Sequence, residues 1–201
     1  MRDNTLRGKR KRRFQTTTQS DHRDPIAPNV FAREFTVEQP NTASVSAITY
    51  IWTLEGWLYL AVILDRYSRR VVGWAMGNRI DKALTLGALR VALETRWSAA
   101  PHRPWQSVCG ERLCTLLNAR GINCSMSRKE NCWDNAVAES FFTTSKVEFV
   151  DGAMFHAPAQ ATRDIFEYIE VLYNRVGRLS SSSDVSPLAF EKDYVPRHLA
   201  A

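Results

Sequence analysis

No glycine-rich phosphate loop occurs in the 201 residues; neither GxGxxG nor GxxxxGK[ST] can be found. That removes the nucleotide-binding folds built on those backbone cradles. Cysteine is scarce as well. Cys109, Cys114, Cys124 and Cys132 form no CxxC pair, and the four histidines are scattered, so a zinc site is not expected and the thiols read as reduced and partly buried. No apolar run approaches the roughly 18 residues of a membrane span, and the N-terminus lacks the apolar core of a signal peptide. A cytoplasmic protein without a membrane partner is the expectation. Acidic residues are outnumbered, 21 Asp and Glu against 27 Lys and Arg, for a net charge of +6. The excess points to a polyanionic partner, with nucleic acid ahead of a membrane surface.

What is present describes a globular chain: 44% hydrophobic residues, 24% charged, six tryptophans and nine phenylalanines, enough for one core. Residues 1–40 are different. They are polar and basic, carry Pro25, Pro28 and Pro40, and read as an arm or linker. Within them "RGKRKRR" places Lys9, Arg10, Lys11, Arg12 and Arg13 in one run, either a phosphate-binding segment or a solvated tail. From Val45 onward, "VSAITYIW", "EGWLYLAVILD" and "VVGWAMG" read as three strands in an antiparallel meander. The second is apolar throughout Trp57–Leu64, as for a strand covered on both faces.

Helical periodicity follows. "DKALTLGALRVALETR" has Asp81 as its N-cap and Leu84, Ala88, Val91 and Ala92 on one face. "GERLCTLLNARGI" reads as a helix, "INCSM" as a short strand, and "AVAESFFTTSKVEF" as a helix capped by Asp134 or Asn135. "PAQATRDIFEYIEVLYNR" opens on a proline and aligns Ile165, Ile169, Leu172 and Tyr173. The sum is an α/β domain with a mixed, mostly antiparallel sheet flanked by helices. Trp57, Trp74, Phe141 and Phe142 are expected in its core, and His156 and His198 on its surface.

The most informative stretch is "SMSRKENCWDNAVAESFF", Ser125–Phe142. Its loop offers Arg128, Lys129, Asn131, Trp133 and Asn135, groups that hold phosphate or meet a base. Glu139 follows in the first two turns of a helix, where the macrodipole favours an anion, and Lys146 lies seven residues on along the same face. Helix physics alone favours an ordinary solvent-facing glutamate beside a wet basic loop.

This stretch and "ITYIWTLEGWLYLAVILDRYSRRVVGWAM" together resemble the integrase-like catalytic region of bacterial insertion-sequence transposases, in the group whose transposase comes from a second reading frame. The resemblance runs from about Lys9 through "FEYIEVLYNR" and "SPLAFE". It implies a ribonuclease H-like fold, DNA as partner, Mg²⁺ or Mn²⁺ as cofactor, and phosphodiester cleavage and strand transfer by three acids. It also divides the chain into a basic arm (1–40), a catalytic core (41–150) and a C-terminal helix and tail of the same core (151–201). Glu139 matches the third acid and would be both catalytic residue and metal ligand. The first slot holds Ala47, which has no oxygen to offer. The second falls at Arg103, or at His102 with a one-residue shift. The tryptophan usual three residues before the first acid corresponds to Ser44, and the strand before the second acid reads as eroded, since "SAAPHRP" holds two prolines. The family's basic stretch after "YNR" has become "VGRLSSSSDVSP", read here as a loop. Asp65 reads as a turn residue, not a substitute ligand.

Three readings remain open at this point: a transposase by descent with an impaired site and weakened or lost metal binding; a non-catalytic DNA-binding or regulatory relative, as a homo-oligomer or joined to an active transposase; and a decayed product that packs poorly. The family carries a helical DNA-reading region upstream, and the short arm is expected to lack it.

Overall fold

The computed structural model describes residues 37–96, 103–106, 122–125 and 136–195. Strand β1 (Ser44–Thr53) and β2 (Gly56–Asp65) form a hairpin in unbroken antiparallel register, from Thr53 opposite Gly56 to Ser44 opposite Asp65. The turn is only Leu54–Glu55, and Gly56 closes it at φ 127°, a backbone conformation costly for any side chain. β3 (Val71–Gly77) pairs with β2. β4 (Arg103–Gln106) and β5 (Ile122–Ser125) add in parallel on the other side, giving the order β3-β2-β1-β4-β5.

The prolines of "SAAPHRP" were expected to remove a central strand; instead β4 sits between β1 and β5. The erosion takes the form of brevity, four residues against ten in β1. Pro104 stands opposite Asn123 of β5 and ahead of Trp105 and Gln106, the two residues paired with β1, so no β1 ladder bond requires its missing N–H. The helix expected over 110–122 lies outside the described residues.

Alternating side chains build two cores. On one face Val45, Ile51, Leu58, Leu60, Val62 and Leu64 pack under two helices. The first is α2 (Ala136–Ser145), which widens into a π-helical turn, Lys146–Val150; the second is α3 (Pro158–Glu167), π-wound from Tyr168 to Val176. On the other face Ala61, Ile63 and Val72 meet Leu84, Ala88, Leu89, Ala92 and Leu93 of α1 (Lys82–Arg96). Asp81 caps α1 as expected, accepting from the Leu84 N–H at 3.0 Å. Val91 is only half-buried, while Leu89 and Leu93 carry the inward face.

Two expected core residues are not in the core. Leu172 is 48% exposed although Ile165, Ile169 and Tyr173 are buried. Past Tyr168 the turns close over five residues, so the i+4 row stays inward and the i+3 position swings out. Trp57 is also 48% exposed. The fifteen residues of α1 span about 22 Å and the ten of β2 about 33 Å, so α1 stops short of the hairpin end and no other helix among the described residues covers that face. Phe141 is buried, and Phe142 and Trp74 are half-buried.

The β2–β3 turn clasps the C-terminal segment. Tyr67 packs on Phe190 of α4 (Pro187–Lys192) and on Tyr194, with ring centroids 5.0 and 5.6 Å away. Arg70 meets Glu191 at 3.5 Å, and the Tyr173 hydroxyl donates to the Arg69 carbonyl at 3.2 Å. No helix among the described residues is long and apolar enough to cross a membrane.

Candidate functional site

Ala47 lies mid-way along β1, opposite Val62, on the face covered by α2. It packs in the same cluster as Val137, Ala138, Phe141 and Phe142. Glu139 stands in the first turn of that helix, next to the fully buried Ala138 and itself exposed. Enough protein surrounds it that desolvation raises its carboxyl above the ordinary glutamate value. The fold therefore places the helix of Glu139 over the strand position of Ala47.

Lys146 is two turns further along, where the α-helix gives way to the π turn closed by the Asp151 N–H on the Lys146 carbonyl at 2.7 Å. Its ammonium lies 5.0 Å from the centroid of the Tyr50 ring, within cation–π range. Tyr50 carried no functional reading in the sequence. The available signal was the aromatic alternation around a two-residue turn, Tyr50 and Trp52 before it, Trp57 and Tyr59 after it.

Arg103 opens β4, two residues before Trp105, which pairs with Ser44. It lies on the far side of Ser44 from Ala47, and the strand end nearer Ala47 is Gln106, paired with Val45. His102, Arg128, Lys129, Asn131, Trp133, Asn135 and the run Lys9, Arg10, Lys11, Arg12 and Arg13 lie outside the described residues, as does the capping Asp134.

Asp65 belongs to a different construction. It ends β2 in line with Ile63, on the α1 face, whereas Ala47 and Glu139's helix occupy the opposite face. Its carboxylate accepts from the Asn41 N–H at 2.9 Å, the Ser68 N–H at 3.0 Å and the Ser68 hydroxyl at 2.9 Å. Burial pushes its pKa up, and the bonds to Ser68 and Asn41 pull it partly back. Asp65→Ala removes the acceptor of the buried Ser68 N–H and hydroxyl and of the part-buried Asn41 N–H, and should cost about 3 kcal/mol in urea unfolding. Because the folded pKa lies above the unfolded value of 3.8, the native state binds the proton first as pH falls. Asp65's own contribution is thus greatest below 3.8 and declines as pH rises through the folded pKa. The stability gap between wild type and Asp65→Ala should be wider at pH 4 than at pH 7; a narrower gap at pH 4 would contradict the assignment.

The described residues do not assemble a donor set for a catalytic divalent ion. Mg²⁺ and Mn²⁺ need several hard oxygen ligands. Among the described residues no group of three His, Cys, Asp or Glu could hold a metal. Glu139 is exposed beside the buried Ala138, and both oxygens of Asp65 are engaged in hydrogen bonds.

Comparison with known proteins agrees with this geometry. A family profile described as integrase core domain matches residues 37–132, and a second of the same description matches 139–194. An insertion element IS600 uncharacterized 31 kDa protein of Shigella sonnei is 42% identical over 193 residues, covering 94% of this chain and 71% of that protein. Transposase InsF for insertion sequence IS3fB of Escherichia coli K12 is 37% identical over 195 residues, covering 92% of this chain and 66% of that protein. The chain thus spans about two-thirds of that transposase. Among solved structures, an integrase chain in the simian T-cell lymphotropic virus intasome with PP2A regulatory subunit B56 gamma aligns with TM-score 0.61 at 13% identity, covering 89% of this chain and 62% of that one. The HTLV-2 integrase catalytic core domain in complex with magnesium, in its trimeric form, aligns with TM-score 0.53 at 11% identity, over 76% of this chain and 97% of that one. At such identities these two likenesses speak for the ribonuclease H-like integrase fold.

Proposed function

Because the chain belongs to the insertion-sequence transposases built on an integrase core domain, we propose that it is a DNA-transposition protein of the cytoplasm whose strand-cleaving centre is impaired. The observation that carries the reading is Ala47, a methyl group on the β1 position that faces the helix of Glu139. In-line attack on a phosphodiester needs charge stabilisation on both the entering and leaving oxygens, and one carboxylate cannot assemble that arrangement. Glu139 retains its place at the helix start, where desolvation raises its carboxyl above the ordinary glutamate value. Metal binding at this centre is accordingly weak or lost.

DNA remains the partner this reading supports. Lys146 and the basic run Lys9–Arg13 supply phosphate contacts that do not depend on the missing acids. The two continuous cores favour a chain that packs over one that has lost its fold.

A plasmid-nicking assay in Mg²⁺ and in Mn²⁺, with Glu139→Ala as control and a thermal melt alongside, tests the proposal. The expected result is a cooperative melt and no nicking above the control. Ala47→Asp alone should restore none, since the second acid is still absent. Nicking by the wild type that disappears in Glu139→Ala would show that other groups replace the lost acids.

A further inference from the structure

On the α1 face the sheet outruns its helix, and what stands there is aromatic. Trp52 and Trp57 are cross-strand partners with ring centroids 4.7 Å apart, and Tyr50 meets the edge of Trp57 at 5.1 Å. Trp52 is 54% exposed, more even than Trp57. On the side away from β2, β4 pairs with β1 only at Ser44 and Val45 among the described residues. Round that side Lys146 brings its ammonium from α2 to the Tyr50 ring. The turn itself is held by the Leu54 N–H on the Phe155 carbonyl at 2.9 Å, so the rings stand on an anchored hairpin.

We propose that Tyr50, Trp52 and Trp57 form a stacking shelf for an unpaired nucleobase, with Lys146 taking the adjoining phosphate. The inference rests on the reading of the chain as a DNA-acting protein and adds the form of DNA it grips: an unstacked, single-stranded segment. Stacked bases in a duplex hide the faces that such a shelf offers to meet, whereas an unpaired base presents them. An ammonium over a ring keeps its charge and N–H donors, so Lys146 can bind phosphate where it stands. A second copy of the chain is disfavoured as occupant, since pairing two shelves would bring two Lys146 ammonium groups together on chains of charge +6.

The test is fluorescence anisotropy of the full chain with a labelled oligothymidylate of roughly 12 nucleotides, a duplex of equal length, and an abasic oligomer of equal charge. Trp52→Ala and Trp57→Ala should each weaken single-strand binding about tenfold, on the basis of ~1–3 kcal/mol per stacked base. Trp57→Phe should stay within about threefold of wild type, and duplex binding should change less than the single-strand value, because phosphate contacts persist. Wild-type protein alone gives a second reading that no folding defect can blur. Its tryptophan fluorescence should be quenched by oligothymidylate and not by the abasic oligomer, which should bind about tenfold more weakly. Equal binding of the two oligomers overturns the shelf. So does a wild-type dimer that dissociates in Trp57→Ala with single-strand affinity unchanged, which would assign the rings to contact between copies. No binding to any DNA overturns the DNA-acting reading itself, a distinct failure.

Discussion

Asn174→Ala should lower the unfolding free energy by about 3 kcal/mol, read as a reduced urea midpoint at unchanged slope. The buried Asn174 amide accepts from the Val71 N–H at 3.0 Å and donates to the Val71 carbonyl at 3.0 Å. Both backbone groups of Val71 point outward from β3, the edge strand of the sheet, so the side chain fills the place of an absent neighbouring strand. The need is local. The β2–β3 register slips between Ile63 and Leu64, pairing Gly73 with the first and Val71 with the second, so the bulged start of β3 depends on a partner from α3. Alanine removes two hydrogen bonds and leaves a buried donor and acceptor without water. Asn174→Asp should be no better, since it restores an acceptor and sets a carboxylate against the Val71 carbonyl. A loss below about 1 kcal/mol in the alanine variant would mean that water replaces the amide and that the stitch is not structural.

Gly73→Ala should be comparably damaging for the opposite reason, an atom too many. A Cβ on Gly73 would run into the Ala88 carbonyl oxygen and lie 2.7 Å from the Ala92 Cβ and 2.8 Å from the Ala92 nitrogen. Those are mostly backbone atoms of α1, so no rotamer change relieves the contact and the helix must retreat from β3. Overpacking of this kind costs about 1–3 kcal/mol, and the loosened packing would also release Leu89 and Leu93. Gly77→Ala is the matched control in the same strand. Its Cβ would lie 3.5 Å from Leu84 Cδ1, ordinary contact, and stability should stay within about 0.5 kcal/mol of wild type. Equal effects at the two positions, measured by thermal and urea unfolding, would show that α1 is not pressed on Gly73.

The two long patterned segments made the family legible before any coordinates. Alternation and apolar runs gave β1, β2 and β3 their extents, Asp81 marked the start of α1, and Pro158 marked the start of α3. Those signals are local: a strand's period, a cap's oxygen and a proline's missing donor act within a few residues. That Ala47 offers no oxygen was equally plain, because an absent oxygen is a property of the residue and not of its surroundings.

Length relations between elements were not legible. Nothing in "EGWLYLAVILD" says that α1 stops short of the hairpin, so Trp57 read as core and stands half-exposed. Nothing in "FEYIEVLYNR" announces the change to π winding that turns Leu172 outward. Pro104 spoke against a central strand, and only the register reveals that it stands opposite Asn123 of β5 and ahead of the two residues paired with β1. Sequence by itself determined the family and the strand and helix segments, since each is written in residue identity and spacing. Tertiary structure alone decided which face each residue meets. It set Asp65 and Glu139 on opposite sides of one sheet, and it carried Lys146 round the β1 edge to an aromatic ring ninety-six residues earlier. Facing depends on how long elements overlap in space, a quantity that no local pattern contains.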